Sequence, residues 1–287
     1  MRLASYERRG KAGFGVVVGD GVVDLGKTLE GRYSDLKSLL EAGALGEARR
    51  AATRAPDFAL AEVTLLPVIP NPGKIWCVGL NYGDHVQETG RQVTEHPVFF
   101  LRMADSQAGH GVAIPRPTES IKLDYEGEIA VVIGKAGRRI SEADAWDHIG
   151  GYACYNDGSV RDWQMHSQQW CPGKNFWRTG AFGPWMVTTD EIPAGAVMTL
   201  VTRLNGTEVQ RATTAMMIHS IPRQIAYAST VAPLEPGDVI VTGTPGGIGA
   251  KRTPPLWMKP GDVVEVEVDR IGVLRNPIVD EAQEPRP

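Results

Sequence analysis

Asp124, Glu126 and Glu128 stand at alternate positions in KLDYEGEIAVVIGK, Lys122 to Lys135. Read with the period of two of an extended chain, they share a face with Ala130 and Val132, and Tyr125, Gly127, Ile129, Val131 and Ile133 make an apolar face opposite. Side chains two apart on a strand sit roughly 7 Å from each other. Glu126 and Glu128 therefore repel unless water screens them or a cation lies between them, and a hard divalent metal is the chemistry such a pair suits. An acidic solvent face is the other reading. Glu265-Val266-Glu267 in GDVVEVEVD has the same spacing on an equally alternating strand, so the pattern alone does not choose.

The company of the pattern is more informative. His85 and Glu88 are three apart, neighbours if Tyr82 to Thr89 turns as a helix. A carboxylate beside an imidazole fixes its tautomer and raises its basicity, as a general base requires, although the same spacing is common on solvated surface. Asp157 follows an apolar segment in GGYACYNDGSVRDWQ and is either an oxygen ligand at the end of a neighbouring strand or part of an Asn156-Asp157-Gly158 turn. Lys174, among Trp170, Phe176 and Trp177, is a snorkelling surface residue or a cation facing an anionic ligand. Thr242 to Gly249, TGTPGGIG, is neither a phosphate loop nor G-x-G-x-x-G. Its glycines let backbone N–H groups approach a ligand, and Thr244 adds a hydroxyl.

The elements that position these groups can be sketched from punctuation. A small N-terminal domain, residues 1–70, has a strand pair around GFGVVVGDGVVDLG, turned at Gly19-Asp20-Gly21, and helical text from Ser34 to Arg54. Pro67, Pro70, Pro72 and Gly73 mark its boundary with a catalytic domain, residues 71–287. There Ile75 to Val78 and Pro97 to Arg102 read as strands, Ser141 to Asp144 as the cap of a short helix, and Leu200 to Gln210 as a hairpin turned at Asn205-Gly206. Ile221 to Ser229 reads as a helix; Pro236-Gly237-Asp238 and Pro260-Gly261-Asp262 each open a strand. The tail from Glu281 to Pro287 is expected to be disordered. The fold class is mainly β (α+β).

Size and composition bound the rest. A chain of 287 residues is long enough for one large domain and a small one, and 33 Gly with 20 Pro point to many turns between short strands. A net charge of −4 without a basic stripe gives no footprint for nucleic acid or an anionic membrane surface. There is no apolar signal core at the N-terminus and no run near the roughly 18 apolar residues of a membrane span, so a cytoplasmic protein is expected. Cys77, Cys154 and Cys171 are odd in number and far apart, which suggests reduced thiols rather than a disulfide or zinc site.

Five motifs in this order resemble the fumarylacetoacetate hydrolase family: N-Y-x-x-H-x-x-E (Asn81 to Glu88), D-Y-E-x-E (Asp124 to Glu128), N-D-x-x-x-R-D-W-Q (Asn156 to Gln164), G-K-N-F (Gly173 to Phe176) and T-G-T-P-x-G (Thr242 to Gly247). The resemblance runs from about Lys74 to Pro277. It implies that Glu126, Glu128 and Asp157 are metal ligands, that Lys174 lies near the substrate, and that Glu265 and Glu267 lie outside the site. It also implies a mixed β-sandwich or β-roll catalytic domain and a homodimer. All-oxygen ligands favour Mg²⁺ or Mn²⁺, with Ca²⁺ also compatible. His85 and Glu88 match the water-activating dyad on a mobile lid in acylpyruvate hydrolases. Family members often have Lys at the position of Arg102 and a β-branched or aromatic residue at that of Gly158, so Arg102 is expected to alter which distal substrate group is read, together with the loop from Ser106 to His110.

The expected activity is metal-dependent C–C bond hydrolysis of a 2,4-dioxo acid, a small keto acid of the acylpyruvate type, through a metal-stabilised enolate. His85, oriented by Glu88, would deprotonate the attacking water; Lys174 and Gln164 would hold substrate oxygens; Gly243 and Thr244 would receive its carboxylate; closure of Asn81 to Thr94 would exclude bulk water. The same machinery without the water suits a decarboxylase or a keto–enol isomerase of a related 2-oxo or 2-hydroxy-dienoic acid, such as 2-hydroxyhepta-2,4-diene-1,7-dioate. A non-catalytic keto-acid binder is a third class, one that would not need the His85/Glu88 pair.

Overall fold

The alternating and β-branched segments pair into two large sheets and a two-stranded ribbon. The structure, a computed structural model, describes residues 1–283. Of the tail expected to be disordered, residues 284–287 lie outside the described residues, whereas Glu281–Gln283 form a 3₁₀ turn in which Glu281 Oε2 accepts the Thr118 N–H at 3.2 Å.

The larger, twelve-stranded sheet carries the chemistry. Its central strand, Gly127–Ile133, pairs antiparallel with Ile149–Asp157 on one side and Val239–Val241 on the other. Beyond Val239–Val241 come Ile75–Gly79, in parallel, and the edge strand Val98–Arg102. Beyond Ile149–Asp157 come Gly180–Thr188 and then Arg2–Arg8, Lys11–Val18 and Gly21–Asp24, so the N-terminal strands extend the catalytic sheet. The strand Arg2–Arg8, which the sequence sketch lacks, makes that join through Arg2 and Leu3 opposite Val187 and Met186.

The acidic segment is not one continuous strand. Leu123–Asp124 pairs separately with Ser159–Val160, and the main strand begins at Gly127, so Tyr125 and Glu126 lie at a break. Nor is either face of the main strand wet: all seven residues are buried. Ile129, Val131 and Ile133 pack in one core with Leu200, Val264, Val266 and Leu274 of the second, five-stranded sheet. Ala130 and Val132 pack in another, under Leu36, Leu39, Leu40 and Ala48 of the helices Leu36–Glu41 and Leu45–Ala51. Each large aliphatic side chain so buried contributes about 1.5–3 kcal/mol. Asp35 starts the first of these helices through a capping box with Ser38.

Glu265 and Glu267 sit on the five-stranded sheet, pointing away from the core and paired with Arg275 at 3.4 Å and Arg203 at 2.6 Å. Cys77, Cys154 and Cys171 are free thiols. No helix among the described residues is long and apolar enough to cross a membrane.

Candidate metal centre and active site

Strand pairing brings the three acids together. The Asp157 N–H donates to Glu126 O at 2.8 Å, and the Glu126 N–H donates to Asn156 Oδ1 at 3.0 Å, which locks the break before Gly127 against the end of Ile149–Asp157. Glu126, Glu128 and Asp157 are 4%, 2% and 0% exposed. One carboxylate oxygen from each lies within 4.8 Å of the other two. Three carboxylates converging in this way would hold a hard divalent cation, the class of ion that an all-oxygen donor set suits. The residues present therefore fit magnesium or manganese.

Three cations steady the acids. Lys174 Nζ donates to Glu126 Oε2 and, at 2.6 Å, to Asp157 Oδ2. Arg161 Nε donates to Asp124 Oδ2 at 2.9 Å, and its Nη2 lies 2.8 Å from Glu126 Oε1. Arg102 Nη1 donates to Asp157 Oδ1. Burial alone would push the Glu126 carboxyl up, but Arg161 and Lys174 outweigh it and hold the group well below the usual range. Among the described residues no cation lies within 4.0 Å of Glu128; burial first, then the charges of Asp157 and Glu126, outweigh the more distant Lys174 and push its carboxyl well above the usual range. A divalent ion among the three would remove that repulsion.

His85 stands on the helix Gly83–Thr89, which ends at Gly90 in the left-handed region (φ 69°). His85 is buried, and its Nδ1 lies 2.8 Å from Glu88 Oε1. With a carboxylate as partner Nδ1 carries the hydrogen, which leaves Nε2 as the basic nitrogen. Glu88 is itself fixed by the Gly247 N–H, 2.9 Å from its Oε2.

A cavity of about 290 Å³ joins these groups, lined by the three acids, His85, Lys174, Arg161, Gln164 and Thr244, with Phe100, Met165 and Trp170 as an apolar wall. Glu88 stands behind His85. Two expected substrate contacts are elsewhere. Arg102 is buried behind Asp157 and also bonds Gly158 O, Thr179 Oγ1 and Ser106 Oγ at 3.0–3.2 Å, so it is not on the cavity wall. Gly243 spends its N–H on Glu128 Oε2 at 2.5 Å.

The Thr244 hydroxyl, though on the wall, donates to Gly127 O at 3.0 Å and accepts from Gln210 Nε2 at 2.8 Å. The glycine loop thus gives three of its N–H groups, those of Gly243, Gly247 and Gly249, to the protein's own acids. The loop from Ser106 to His110 does not reach the cavity either: Ser106 bonds Arg102, and His110 Nδ1 accepts the Arg275 N–H at 3.1 Å. Arg161 and the Asp124 it grips both stand inside the motifs quoted above, but their pairing across two motifs is not readable from either one.

The fumarylacetoacetate (FAA) hydrolase C-terminal family profile matches residues 74–279. Over 221 residues the chain is 43% identical to the mitochondrial oxaloacetate tautomerase fahd2 of Xenopus laevis, covering 76% of this chain and 69% of that protein. It is 42% identical over 225 residues to the oxaloacetate tautomerase YisK of Bacillus subtilis, 77% of this chain and 75% of the other. Among solved structures, maleylpyruvate hydrolase from Sphingobium sp. SYK-6, in complex with manganese(II) and pyruvate, superposes with a TM-score of 0.81 at 28% identity, over 98% of this chain and 99% of that one.

Proposed function

Since the chain belongs to the fumarylacetoacetate hydrolase family, we propose that it is a keto–enol tautomerase of small 2-oxo acids, supported by a divalent metal at Glu126, Glu128 and Asp157. The observation that carries the reading is the likeness to two oxaloacetate tautomerases, with the His85–Glu88 pair, a base held in one tautomer on the wall of the cavity that the three acids line, as the group to move the proton. The two tautomerases at 42–43% identity favour proton transfer over bond cleavage.

Magnesium or manganese, when bound, supplies positive charge that stabilises negative charge building on the 2-oxo oxygen of the substrate. His85 Nε2 takes the proton from C3, and Glu88 stabilises the imidazolium that results. The C3–H electron pair becomes the C2–C3 double bond, the carbonyl π pair moves to the oxygen, and the proton held on His85 passes to that oxygen, so one proton moves from carbon to oxygen; the reverse sequence gives the ketone. Lys174 and Gln164, on the same wall, hold the substrate oxygens. Phe100, Met165 and Trp170 keep water from the carbanion.

A second reading, hydrolysis of a 2,4-dioxo acid, is favoured by the same free Nε2, which serves equally to deprotonate a water. Ketonisation of a 2-oxo acid enol, followed by the loss of its ultraviolet absorbance, and release of pyruvate from a panel of acylpyruvates separate the two. Metal-dependent ketonisation without pyruvate release supports the first; pyruvate release without ketonisation replaces it by the second. We also propose a homodimer, which light scattering in solution reads directly.

A further inference from the structure

Every cation around the three acids already has an acidic partner: Lys174 has Glu126 and Asp157, Arg161 has Asp124 and Glu126, and Arg102 has Asp157. Two further cations line the same cavity, Arg91 and Lys251. Both are exposed, and among the described residues neither has an acidic group within 4.0 Å.

They come from different segments, and each is carried on a fixed support. Arg91 follows the helix that bears His85, its N–H donating to Val86 O at 3.1 Å, and its guanidinium lies 5.6 Å from the centre of the Trp170 ring. That ring is seated against Phe100 and over Gly79, where a β-carbon would fall 2.3 Å from it. Lys251 stands in the 3₁₀ turn Gly249–Lys251. Buried Asp124 holds that turn, accepting the N–H groups of Gly249 at 2.8 Å and Ala250 at 2.9 Å. Asp124 also grips Arg161. One carboxylate therefore sets the position of Lys251 relative to the acids.

We propose that Arg91 and Lys251 form the distal subsite of the cavity and read a second carboxylate, so that the substrate class is the 2-oxo dicarboxylic acids. This rests on the tautomerase reading for the 2-oxo end, and it reassigns to these two residues the recognition expected of Arg102. The cavity is lined both by three acids that suit a divalent ion and by two cations, Arg91 and Lys251, that no acid of the described residues neutralises. A monocarboxylate would leave those cations unmatched. Both cations are solvated in the free protein, so their removal leaves no buried charge behind.

The test uses inert ligands that differ in one carboxylate, malate and 2-hydroxybutanoate, titrated by calorimetry into the magnesium-loaded protein. The wild type is expected to bind malate at least tenfold more tightly. Arg91→Met and Lys251→Met should each remove most of that preference, and Lys251→Arg should keep it. Equal affinities in the wild type overturn the proposal, as does a preference that survives the double Met variant. Exchange of C3 deuterium in 2-oxobutanoate and oxaloacetate is followed in parallel by NMR. Malate preference without catalysed exchange keeps the subsite and removes the tautomerase reading; exchange without malate preference does the opposite.

Discussion

Glu88 joins His85 to the glycine loop: one of its oxygens lies 2.8 Å from His85 Nδ1, and the other accepts the Gly247 N–H at 2.9 Å. The carboxylate thus fixes both the tautomer and the direction of the base. Glu88→Gln keeps the shape but lets the amide hold either tautomer. A fall in kcat of about 10²-fold is expected, with manganese affinity within a few-fold of wild type. Unchanged kcat would show that the pair is structural.

Arg102 is the partner of Asp157 in a place without solvent, both side chains being 0% exposed. Arg102→Met leaves Asp157 with Lys174 alone and should cost about 3–5 kcal/mol of stability, read by urea denaturation. Manganese affinity should fall with it. A substrate-reading role would instead raise KM and leave stability alone.

Gly243 has φ +99°, and a β-carbon there would fall 2.7 Å from Asn81 Cβ. Gly243→Ala must shift the loop and withdraw its N–H from Glu128. Metal affinity is expected to fall about tenfold, corresponding to roughly 1.4 kcal/mol. Retained affinity in a folded variant would mean that Glu128 does not need this donor.

Because burial, Asp157 and Glu126 raise the Glu128 carboxyl, the metal-free protein holds a proton there above the ordinary glutamate range. Over that window the folded state binds a proton that the unfolded chain has released, so metal-free stability falls as pH rises. A divalent ion expels the proton, so its affinity rises with pH. Calorimetry in buffers of different ionisation heat should find about one proton released per ion just above the ordinary glutamate range, and none from Glu128→Gln. No release from the wild type would contradict this.

Much of the site was legible because its residues sit within short motifs whose local geometry is simple. An i,i+3 pair on a helical turn and two acids two apart keep their neighbours in any fold. The contrast between Glu126/Glu128 and Glu265/Glu267 was not decided by spacing, since both stand on alternating text. What separates them is the partner each strand has: Asp157 beside the first pair, Arg203 and Arg275 beside the second. The long-range partners were hidden. Arg102 reads as a strand-end cation, and only pairing across the sheet puts it behind Asp157. The glycine loop reads as a ligand cradle, and only the folded chain shows that Glu128 and Glu88 take the N–H groups of Gly243 and Gly247. The second buried face of the acidic strand depends on helices some 90 residues earlier, beyond the reach of any periodicity.

The central claim is that Glu126, Glu128 and Asp157 grip a single divalent ion. Anomalous diffraction from a manganese-soaked crystal tests it most directly. The account predicts one strong peak per chain within about 2.4 Å of a carboxylate oxygen from each of the three residues. A peak that lacks any one of them, or none in the cavity, would contradict it.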